Sequence, residues 1–81
     1  MNIKYLRNNI DEIDENIISL LESRFLVSEN IGKIKKEQGL PVLDNKREDE
    51  IFSKIKDKNF EKEIANIYKC ILEESKKVQK I

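Results

Sequence analysis

Ile3-Lys4-Tyr5-Leu6-Arg7-Asn8-Asn9-Ile10-Asp11-Glu12-Ile13-Asp14-Glu15-Asn16-Ile17-Ile18-Ser19-Leu20 opens a segment whose apolar residues recur at helical spacing until the breaker cluster Gly39-Leu40-Pro41. The first element is therefore expected from about Ile3 to about Gln38. Leu6, Ile10, Ile13, Ile17 and Leu20 step by four and three, and the count continues through Arg24, Val27, Ile31 and Ile34 as a heptad seam. One position on that seam is an arginine. A helix of this length spans roughly 50 Å, more than the width of a globule of 81 residues, so a lone subunit cannot cover its own seam. A homodimer is the economical solution.

Beyond Pro41-Val42-Leu43, Asp44 is a good N-cap for a second helix with Ile51, Phe52 and Ile55 on its apolar face, ending near Lys58. Asp57-Lys58-Asn59 separates it from a third helix, about Phe60 to Lys80, whose expected face is Ile64, Ile67, Ile71, Ser75 and Val78. Ser75 interrupts that face. The fold class is all-α, three helices per subunit, with residues 1–81 forming a single domain.

Composition removes several functions. Charged residues are 40% of the chain and balance at 16 basic against 16 acidic, so no basic field exists for nucleic acid or an anionic membrane. Apolar runs are too short for a membrane span or a signal peptide, which points to a cytoplasmic protein. There is no histidine, no cysteine cluster for zinc and no glycine-rich phosphate loop; Gly32 and Gly39 stand alone. The single cysteine, Cys70, falls within the apolar pattern Ile64, Ile67, Ile71 and is expected to be a buried filler. Catalysis must come from carboxylates, amides, hydroxyls and cations, without metal or cofactor.

Polar residues on apolar faces are the candidates for that role. Arg24 on the seam costs several kcal/mol in desolvation unless an anion or a hydrogen-bond network compensates, although a salt bridge to a neighbouring helix would also serve. Lys35 lies eleven residues on, about 20° around the helix and about 16 Å along it, so both heads can converge on one small ligand; a solvated lysine in the Lys33, Lys35, Lys36 run is the alternative. Arg7 is some 25 Å before Arg24 and cannot serve the same site, but in an antiparallel dimer it reaches the partner's. Asp44, Arg47 and Glu48 occupy the first turn of the second helix, where an acid suits the helix dipole and an arginine needs another reason or a helical charge pair. Ser75 and Gln79, four apart, project together from the third helix.

The ordered set resembles the all-helical chorismate mutase family. It comprises Leu6-Arg7-Asn8-Asn9-Ile10-Asp11-Glu12-Ile13-Asp14, Leu20-Leu21-Glu22-Ser23-Arg24, Ile31-Gly32-Lys33-Ile34-Lys35, Pro41-Val42-Leu43-Asp44-Asn45-Lys46-Arg47-Glu48, Glu74-Ser75 and Gln79. The resemblance implies an interlaced homodimer of three-helix subunits and an isomerase that rearranges chorismate to prephenate in phenylalanine and tyrosine biosynthesis. It implies that Arg24 and, from the other subunit, Arg7 bind the two substrate carboxylates, with Arg47 and Ser75 as further contacts. Glu48 and the backbone at Asp44 would hold the ring hydroxyl, and Lys35 and Gln79 would donate to the ether oxygen of the breaking bond. Two rivals stand beside it: an isochorismate-pyruvate lyase of the same fold, against which the Asp44, Arg47, Glu48 turn leans, and a non-catalytic helical dimerisation module, which leaves Arg24 unexplained.

Overall fold

The computed structural model describes residues 2–80 and contains three helices, α1 (Ile3–Gln38), α2 (Asn45–Ile55) and α3 (Glu61–Gln79), and no strand among the described residues. The Asn2 side chain caps α1 by accepting the Tyr5 N–H at 2.9 Å. At the other end Gly39 adopts φ 68°, which glycine reaches without Cβ strain. The Leu40 N–H then bonds the Lys35 carbonyl at 2.8 Å and the Gly39 N–H bonds that of Lys36 at 3.3 Å, closing the helix as a Schellman motif. α2 opens on the expected cap, with the Asp44 carboxylate accepting the Arg47 N–H at 3.0 Å.

α2 stops at Ile55, three residues short of the expected Lys58, because Lys56 leaves helical backbone at ψ 136° and Asp57 turns to φ 65°, left-handed backbone that the helix cannot include. α3 starts at once after Phe60.

α3 is the centre of the subunit: it packs on α1 and on α2, which do not pack on each other. The buried face of α3 carries Leu72 and Ser75, flanked by Ile64, Ile71 and Gln79, and Ile67 is exposed. This rotates the expected stripe by about 60°. Cys70 falls on the far side and is exposed, so the expectation of a buried filler is corrected. Apolar spacing alone misplaced both residues because α3 turns polar groups as well as apolar ones towards α1.

On α1 the inward stripe is Leu21, Arg24, Phe25, Ser28, Gly32 and Lys35, about a quarter turn from the heptad seam, with Arg24 at the border of both. The seam itself is bare: its apolar residues are between 42% (Ile31) and 68% (Leu20) exposed. Residues 3–20 touch neither of the other helices closely enough to be covered. The molecule measures 55 × 25 × 14 Å with a radius of gyration of 15.8 Å, against about 12 Å for a compact chain of this length. Only Ile51, Ile55 and Leu72 form a buried apolar core among the described residues.

Candidate active site

A cavity of about 380 Å³ opens where the second half of α1, the start of α2 and the end of α3 meet. Seven of the eight residues singled out in the sequence line it: Arg24 and Lys35 from α1, Asp44, Arg47 and Glu48 around the start of α2, and Ser75 and Gln79 from α3. Arg7 does not, since it lies on the exposed first half of α1.

The Schellman stop builds the first catalytic candidate. By turning the chain back after Gln38 it brings the Val42 carbonyl to the Lys35 ammonium at 2.8 Å, and the amide oxygen of Gln79 accepts from the same nitrogen at 2.9 Å. Two of the three ammonium protons are thereby engaged and one remains to donate. With its oxygen on Lys35, the Gln79 amide keeps an N–H₂ that bonds no other group among the described residues and is free to act as a second donor. Gly32 makes this possible: a Cβ there would sit 2.6 Å from the Gln79 Cα, so the last turn of α3 can lie against α1 only because residue 32 has no side chain.

Arg24 is half-buried, and its guanidinium donates to the Ser75 hydroxyl at 2.5 Å, while that hydroxyl donates in turn to the Ile71 carbonyl at 2.7 Å. The salt bridge to a neighbouring helix is not found: among the described residues no carboxylate lies within ion-pair distance of Arg24. A partly desolvated guanidinium that lines a cavity and has no ion-pair partner among the described residues is chemically suited to receive an anion.

The start of α2 is less committed. Arg47 lines the cavity but forms the helical charge pair considered above, with Glu50 at 3.0 Å, both groups more than half exposed. Its other N–H groups remain available. The Asp44 carboxylate is occupied as the helix cap and its carbonyl accepts the Glu48 N–H at 3.1 Å, so a ligand contact from the backbone there falls to the N–H. Glu48 faces Lys76 of α3 at 3.3 Å, and Lys76 also meets Glu73 at 2.8 Å. The hydrogen bond with Glu73 raises the Lys76 ammonium above its ordinary range against desolvation, with Glu48 adding to the rise, and the same bond lowers the Glu73 carboxyl.

Lys76 and Ser28 were missed in the sequence. Ser28 is buried and lines the cavity between Arg24 and Lys35; its spacing of four from Arg24 and seven to Lys35 was the available signal. Lys76 sits in a run of lysines whose solvated members look the same on paper.

Residues 6–80 match the family described as chorismate mutase type II. The chain belongs to that family. It is 32% identical over 80 residues to the chorismate mutase of Methanocaldococcus jannaschii, a match covering 93% of this chain and 81% of that one. It is 47% identical over 53 residues to the bifunctional chorismate mutase/prephenate dehydratase of Aquifex aeolicus, covering 65% of this chain but 15% of that protein. A conserved hypothetical protein from Pyrococcus furiosus has the same fold, with a TM-score of 0.85, 46% identity and coverage of 96% and 95% of the two chains. Within this all-helical family the cavity between the three helices is the candidate active site.

Proposed function

We propose that this chorismate mutase family member converts chorismate to prephenate, with Arg24 binding one substrate carboxylate and Lys35 and Gln79 donating to the ether oxygen. The reading is carried by one observation: a half-buried guanidinium without a counter-ion among the described residues and two spare N–H donors share one cavity. The rearrangement is unimolecular and needs no nucleophile, base or redox partner. It needs a flexible dianion held in its reactive conformer and charge stabilised on the oxygen of the lengthening C–O bond. Lys35 is preorganised for the second task by its bonds to Val42 and Gln79, so little reorganisation is left for the moment of reaction. Ser75 fixes Arg24 for the first, Arg47 is a further cation at the rim, and Glu48 with the N–H of Asp44 receives the ring hydroxyl.

In the same proposal the active unit is an interlaced homodimer in the cytoplasm, in which Arg7 of each subunit completes the other's site and binds the second carboxylate. What supports it is the bare heptad seam, the scant core of the lone subunit and the distance of Arg7 from its own cavity. The test is to incubate purified protein with chorismate and, separately, isochorismate and to identify the products by chromatography. Prephenate from chorismate, lost in Arg24→Ala, is the expected result. Salicylate and pyruvate from isochorismate as the main activity would replace this reading with the lyase, and a folded dimer inert to both would remove it.

A further inference from the structure

Four ion pairs are present among the described residues, and three of them join residues three apart on one helix. The fourth, Lys76 to Glu48, joins α3 to α2, and both of its members line the cavity. Its side chains are 21% and 25% exposed, well below the other pairs' carboxylates, so this pair is sheltered from the screening that weakens surface pairs. α2 packs on α3 alone, and the buried Ile51, Ile55 and Leu72 mark that joint. An apolar joint holds the helix but leaves the direction of the Glu48 carboxylate open.

We propose that Lys76 is a positioning residue for the reaction, holding the Glu48 carboxylate by one oxygen so that the other is presented to the ring hydroxyl of the substrate. The proposal rests on the chorismate reading above. Two observations carry it. Lys76 engages Oε2 of Glu48, and no group among the described residues bonds Oε1, which leaves that oxygen as the acceptor. The second is charge balance: Arg24, Lys35, Arg47 and Lys76 line the cavity against Asp44 and Glu48. A dianion brought beside Glu48 is repelled by it, and Lys76 is the cation placed to offset that repulsion. Glu73 holds Lys76 from its outer side at 2.8 Å, which keeps the ammonium charged and at the cavity wall.

The test is a double-mutant cycle on steady-state kinetics with chorismate, using Lys76→Met, Lys76→Arg, Glu48→Gln and the Lys76→Met/Glu48→Gln double variant, with thermal melts of each. Because no bond to the ring hydroxyl forms or breaks in the rearrangement, Lys76→Met is expected to raise KM about tenfold and to change kcat by less than about threefold, with the melting temperature nearly unchanged. Lys76→Arg is expected to restore KM to within about threefold, and Lys76→Met in the Glu48→Gln background to add less than about twofold. Should Lys76→Met not fold, Lys76→Gln, neutral but polar, takes its place in the cycle. An equal loss from the lysine change in both backgrounds, or no loss in either, overturns the proposal. Wild-type protein that leaves chorismate untouched fails the underlying reading instead, and is recognised before any variant is compared.

Discussion

Lys35 holds its position through two hydrogen bonds, which leaves a third proton for the ligand, and in the proposed reaction it acts where charge develops rather than in binding alone. Lys35→Ala is expected to lower kcat about a hundredfold or more while circular dichroism and melting stay close to wild type; retained turnover in the folded variant would remove Lys35 from the chemistry. Gln79 supplies an amide that donates at every pH. Gln79→Glu exchanges it for a group that donates only when protonated and, once ionised, sets an anion where negative charge must develop. Its activity is expected to rise as pH falls through the titration of the new carboxyl, whereas the wild type shows no such requirement. A pH–rate profile of the variant that parallels wild type would place Gln79 outside the site. Each of Arg24 and Lys35 alone had an ordinary structural reading, and they were legible at this scale as a pair because eleven residues put both cations on one side of the helix. Lys76 was not, because only the neighbouring helix distinguishes it from the solvated lysines beside it.

At the scale of the element, α3 does two jobs with one face: Leu72 packs, and Ser75 and Gln79 line the candidate site. The close approach that allows this is paid at Gly32, where a methyl group would run into the backbone of Gln79. Gly32→Ala is expected to push the last turn of α3 outward and to cost about ten- to hundredfold in kcat, with a smaller change in KM, since the displaced amide serves the breaking bond. Activity equal to wild type would mean that α3 yields there without moving Gln79. The N-cap of α2 makes a contrasting case. Asp44→Ala removes the bond to the Arg47 N–H and is expected to destabilise the protein by about 1 kcal/mol in urea denaturation, loosening the turn that carries Arg47 and Glu48. The Asp44 cap and the breaker cluster at Gly39 were readable as sequence signals. The rotation of α3 and the end of α2 were not: the first depends on which polar groups α1 offers, and the second on Lys56 and Asp57 leaving helical backbone two residues before the polar stretch ends.

For the whole molecule the decisive feature is the first half of α1, which extends from the rest of the subunit with its apolar seam uncovered. The dimer proposed to cover it divides each site between chains, and that division has a quantitative consequence. Arg7→Ala and Arg24→Ala are each expected to be nearly inactive alone. Unfolded together in equal amounts and refolded, half of the dimers pair one variant with the other, and each such dimer has one site with both arginines and one with neither. The mixture should therefore recover about one quarter of wild-type activity. Recovery no greater than the sum of the separate variants would show that Arg7 does not cross to a partner's site.

The sequence by itself determined that the chain is helical throughout, where α1 begins and ends, that its seam exceeds what one subunit can bury, and seven of the side chains that line the cavity. Periodicity, caps and the Gly39 stop are local properties, and local properties are written residue by residue. Only the tertiary structure decided which side of α3 faces α1, that Cys70 points to solvent, that Arg24 finds a hydroxyl and no carboxylate among the described residues, and that one lysine of the last helix reaches across to Glu48. Those outcomes depend on the rotation of one helix against another, which is set by the sum of many contacts between distant segments and by the close approach at a single glycine.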